Sequence, residues 1–126
     1  MTKEQIHKAT VTFVVFLFAG SAVGYLFFPS AMLSVVGITS NEQTDFLVRT
    51  LAAALVALIP SSWSARKREN TALYPSVIFG LAIYMFLSSA VDLHAYLTHI
   101  VNSASLPSIV LRVLLGVVLL WLMPRR

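Results

Sequence analysis

The sequence predicts an all-α, polytopic membrane protein: four transmembrane helices in an up-down bundle, with both termini in the cytoplasm. The first observation is compositional. Of 126 residues, 58% are hydrophobic and 11% charged, and the mean hydropathy is +0.84, whereas charged residues make up about a quarter of a soluble domain. The second is that four apolar runs, at 9–28, 46–63, 73–91 and 106–123, each approach the roughly 20 residues needed to cross about 30 Å of hydrocarbon as a helix. The third is an alternation of basic and uncharged flanks, which sets the orientation. Four spans and short connections use the whole length, so residues 1–126 read as a single domain.

Thr2 and Gln5 have capping-box spacing before the first span, as do Ser40 and Gln43 before the second. Asn70 or Thr71 is placed to cap the third. Pro75 and Pro107 fall in the first turns of the third and fourth spans, where the missing N–H has no intrahelical partner to lose. Pro29 ends the first span. The segment 30–36 is expected to form a short helix at the interface before Gly37 turns the chain.

Lys3 and Lys8 precede the first span, Arg66, Lys67 and Arg68 join the second to the third, and Arg125 and Arg126 follow the fourth. The connections 29–45 and 92–105 contain no lysine or arginine. Seven of the nine basic residues thus lie on one side, which is retained in the cytoplasm of a cell (inner) membrane. Trp63 and Trp121 fit an aromatic belt at that side. A cleaved signal peptide is the competing reading of the first span, with Lys3 and Lys8 as its basic region and Gly20-Ser21-Ala22 as the cleavage site. The apolar run continuing through Val23 to Phe28 argues against it.

The pI of about 9.9 and net charge of +4 have a topogenic explanation, and nucleic acid would need a basic face on a water-soluble body. Cysteine is absent, which excludes disulfides, thiolate metal sites and cysteine-pair redox chemistry. No nucleophile–base pair, phosphate-binding glycine loop or HExxH helix occurs. No enzyme activity, cofactor or metal site is therefore expected. His94 and His99 beside Asp92 are expected to be solvated loop residues, and His7 to face solvent.

Charges inside spans are functional suspects, because they are costly at mid-bilayer. Arg49 and Arg112 are the two inside these runs. Arg49 shares a helical face with Asp45, Ala52, Ala53 and Val56, and Arg112 lies one turn from Gly116. Such small residues favour close helix approach, so both arginines are expected to point into the bundle. On the third span Gly80, Tyr84, Ser88 and Asp92 form a polar ridge, with Ser21 and Tyr25 of the first span at matching depth. Together these residues predict one polar cluster in the outer half, in which Asp45 and Asp92 neutralise Arg49 and Arg112. It would serve as an interhelical clamp or as a ligand site. Gly20 and Gly24 form a GxxxG, the spacing of helix packing.

Phe28-Pro29, Met32-Leu33 and Gly37 after the first span, Leu47-Val48-Arg49 opening the second, Ala65-Arg66 ending the hairpin and the final Pro124-Arg125-Arg126 resemble small bacterial four-helix membrane proteins described as DoxX-like. That resemblance implies the four-helix membrane fold and carries no activity onto particular residues. Small multidrug exporters have a similar size, but depend on a glutamate in the first span that is absent from 9–28. The expected role is nonenzymatic: helix association in the lipid bilayer, as a homo-oligomer or as an accessory subunit of a membrane-protein complex. The alternative is a small-molecule binder or transporter using the outer polar cluster.

Overall fold

The computed structural model describes residues 2–66 and 74–123. They form α1 (Lys3–Phe27), α2 (Pro29–Val35), α3 (Glu42–Ala65), α4 (Tyr74–Leu97) and α5 (Ser105–Leu122), with no strand among the described residues. All but α2 are long and apolar enough to cross a membrane. α1 begins six residues before its apolar run, α3 begins four before and ends two after, and α4 continues six past residue 91 to Leu97, while α5 keeps to its run within one residue. Hydropathy marks the length that hydrocarbon would cover, whereas a helix continues into water until its backbone is capped. The expected caps at Asn70 or Thr71, together with Lys67, Arg68, Pro124, Arg125 and Arg126, lie outside the described residues.

The capping box before α1 forms as expected: Gln5 N donates to Thr2 Oγ1 at 3.2 Å, and Thr2 N donates to Gln5 Oε1 at 2.9 Å. That before α3 is shifted by one residue. Asn41 Oδ1 accepts from Thr44 N, and Asn41 N donates to Thr44 Oγ1, both at 2.9 Å. Ser40 instead donates its hydroxyl to Asp45 Oδ1 at 2.6 Å. Asn caps as well as Ser, and the shift places Asp45 within Ser40's reach. Pro29 starts α2 at its first turn, and Gly37 turns the chain with φ +82°. Pro60 lies inside α3, where it has no N–H to offer the carbonyl of Val56.

Packing joins the helices into two close pairs, α1 with α3 and α4 with α5, with thinner α3–α4 and α1–α5 contacts between them. The core between the pairs is built from Val11, Val14, Phe18 and Ala22, from Ala52 and Leu55, from Ile78, Leu81 and Met85, and from Leu115 and Leu119. Phe13, Phe16, Leu47, Leu87, Val91, Val110 and Leu114 face outward. The long helices are therefore apolar on more than their core-facing side, the composition of elements surrounded by hydrocarbon.

The near end of the bundle, where α1 begins, corrects the expectation for His7. Its side chain is fully buried. Nε2 lies 2.8 Å from the carbonyl oxygen of Ala65, and the ring meets Tyr74 edge-on at 4.8 Å. Tyr74 in turn donates its hydroxyl to the carbonyl of Leu122 at 2.8 Å. Four chain segments thus meet at one polar knot at the ends of α1, α3, α4 and α5. His7 is drawn in because α1 begins at Lys3 and buries His7 on the same face as Val11 and Val14. At the far end, Asn102 donates its N–H to Val36 O at 2.9 Å and its side-chain amide to Val35 O at 3.2 Å. This ties the 98–104 connection to α2 and the Gly37 turn.

Candidate functional site

In the far half of the bundle a cavity of about 420 Å³ opens between the two helix pairs, within the size range of small-molecule sites. It takes Phe18, Ser21 and Tyr25 from α1, Leu51 and Leu55 from α3, Tyr84, Ser88 and Asp92 from α4, and Ser108 and Arg112 from α5. The residues spaced four apart on α4 form one wall because such positions share a helical face.

The charged part of the site is an ion pair between Arg112 Nη2 and Asp92 Oδ2. The Arg112 side chain is 15% exposed and that of Asp92 37%. Ser108, one turn earlier on α5, holds the guanidinium from its own helix: its hydroxyl accepts from Nη2 at 3.1 Å and its carbonyl from Nε at 3.3 Å. Arg112, about two turns into α5, is thereby fixed while it reaches across to the last turns of α4. Tyr25 and Tyr84 line the same cavity as this pair. The ring of Tyr84 packs edge-on to Phe18, with centroids 5.4 Å apart and planes at 85°.

Of the residues expected here, Asp92, Arg112, Tyr84, Ser88, Ser21 and Tyr25 line the cavity, and Arg49 and Asp45 do not. The expected four-charge cluster is corrected to one pair. Arg49 is exposed, and its Nε donates to the carbonyl of Leu26, in the last turn of α1, at 3.4 Å. A cation is favoured at such a helix end. Asp45 accepts from Ser40. The buried face of α3 runs through Ala52 and Leu55, while Ala53 and Val56 are exposed. The face shared by Arg49, Ala53 and Val56 therefore turns away from the core. Ser108 was not expected, although its position one turn before Arg112 was a signal for it.

The two glycines of the GxxxG separate. A Cβ at Gly24 would lie 2.9 Å from Met32 Sδ of α2, whereas one at Gly20 would meet nothing within 4 Å. Gly116 packs against the ring of Phe86, whose Cζ would be 2.9 Å from an added Cβ. His94 is in the last turn of α4 and His99 follows it with φ 61°; both are exposed. Among the described residues no three metal-ligating side chains converge. No family model, curated protein or solved structure matches the chain.

Proposed function

We propose that this chain is a four-span integral protein of the cell (inner) membrane, an up-down bundle with both termini cytoplasmic, that binds a small molecule from the outside in the cavity of its far half without catalysing a reaction. One observation carries the reading: the Asp92–Arg112 pair, two tyrosines and four serines line one cavity among apolar helices. Polar groups at membrane depth commonly line ligand paths. Orientation is supported by the near end, where Lys3 lies 5.0 Å from the ring centroid of Trp121 and the Arg66 guanidinium 3.8 Å from that of Trp63. Tryptophans mark a membrane–water interface, and the basic residues beside them mark it as the cytoplasmic one.

The test is a thermal-stability screen of the detergent-purified protein against small polar and amphipathic compounds. A compound that raises the melting temperature of the wild type, loses that effect in Ser88→Leu and keeps it in Arg49→Ala supports the site. Equal effects in both variants would refute it. Orientation is tested in the cysteine-free background: Ser103→Cys should react with an impermeant thiol reagent outside intact cells, and Asn70→Cys only after the membrane is opened.

A second reading, association with another copy or with a membrane-protein partner, is favoured by Gly20. It is exposed on α1, where an added Cβ would meet nothing within 4 Å among the described residues, and small residues permit close helix approach.

A further inference from the structure

A second cavity, of about 370 Å³, lies between α3 and α4 toward the near end. Ser61 and Ser62 line it from α3, and Ser76, Gly80 and Tyr84 from α4. Ser61, Ser76 and Gly80 are exposed there, and an added Cβ at Gly80 would meet nothing within 4 Å. Pro60 precedes the two serines in α3, where the helix has already lost one backbone hydrogen bond. Among the described residues, Tyr84 alone lines both this cavity and the far one. The ridge Gly80, Tyr84, Ser88 and Asp92 is consequently a common wall running along both, and the Tyr84 ring, seated against Phe18, stands where they meet. Phe18 is itself in the core.

From this arrangement we infer that the two cavities are halves of one transverse route for a small, neutral, hydrogen-bonding solute, and that Tyr84, backed by Phe18, is the barrier between them. The inference rests on the far cavity being a water-accessible binding site. Serine and tyrosine hydroxyls along the wall replace part of the hydration of a polar solute. The chemistry of the lining excludes ions. Asp92 and Arg112 neutralise one another in the far half, and no charged residue lines the near half among the described residues. An ion there would have no countercharge in a low-dielectric surround. The thin contact between the helix pairs supplies the seam along which the route runs.

The experiment uses Ser103→Cys, Ser88→Cys and Ser61→Cys in the full-length chain, in sealed membrane vesicles. A small impermeant methanethiosulfonate is applied on whichever side labels Ser103→Cys, so that an error in orientation does not affect the result. Ser88→Cys should react from that side and Ser61→Cys slowly. Adding Tyr84→Ala to Ser61→Cys should raise its rate by roughly tenfold, as expected when a steric barrier is lowered, and Phe18→Ala should act in the same direction. Unchanged labelling of Ser103→Cys in those backgrounds, with an unchanged unfolding transition in detergent, reports a folded bundle. In proteoliposomes, Tyr84→Ala should speed glycerol-driven swelling without adding conductance to potassium or chloride. Failure of Ser88→Cys to react would overturn the binding site and the route together. If Ser88→Cys reacts but Ser61→Cys is unchanged in both barrier variants, the route is overturned while the binding site stands. Ion conductance in the Tyr84→Ala vesicles would overturn the neutral-solute assignment.

Discussion

Replacing Asp92 with alanine leaves Arg112 beside the cavity with, among the described residues, only the Ser108 oxygens of its own helix as hydrogen-bond partners. Breaking a fully buried pair in this way costs about 3 to 5 kcal/mol, whereas an exposed pair contributes about 0 to 1 kcal/mol. With Arg112 15% exposed and Asp92 37%, the site falls between these limits, and the expected destabilisation of Asp92→Ala is about 1 to 3 kcal/mol. Removing both charges should cost less than the sum of the two single changes. A double-mutant cycle on reversible unfolding in mixed detergent micelles measures this directly. The cycle of Asp92 with Arg112 should show coupling of about 1 kcal/mol or more. That of Asp92 with Arg49 should be additive, because Arg49 lies outside the cavity and bonds to Leu26. Additivity in the first cycle would refute the pair as an energetic contact, and coupling in the second would refute the placement of Arg49.

Three further outcomes follow from particular contacts. His7→Phe keeps a ring against Tyr74 but takes from the Ala65 carbonyl its imidazole partner, so the unfolding free energy should fall by about 1 to 3 kcal/mol; no change would show that the knot is not load-sharing. Gly37→Ala should destabilise by about 1 to 2 kcal/mol, because φ is positive and the new methyl would lie 3.2 Å from Asn102 Nδ2; the same unfolding assay checks it. Gly20→Leu should leave the unfolding of the monomer within about 0.5 kcal/mol of wild type, as expected where no contact is disturbed. It should also abolish any self-association seen by energy transfer between labelled copies in liposomes, and persistence of that association would remove Gly20 from the interface.

The number of long apolar helices, the capping box before α1, the Gly37 turn and the polar ridge on α4 could all be read from the amino-acid sequence. Each is a local property: apolar run length, the spacing of two cap residues, or the four-residue repeat of one helix. Asp92 and Arg112 could be named as members of a charged cluster because each stood out as a charge in or beside an apolar run, but which arginine Asp92 pairs with was decided by the tertiary structure. The rotation of each helix about its axis was decided only by the tertiary structure. In a soluble helix the apolar stripe identifies the buried face, but here the core-facing and outward-facing sides are alike apolar. The small residues near Arg49 therefore gave no reliable bearing, and α3 buries Ala52 and Leu55 while turning Arg49 outward. His7 was hidden for the complementary reason. Its flanks are polar and basic, and its burial depends on Ala65 and Tyr74, residues brought beside it only when the helix pairs close.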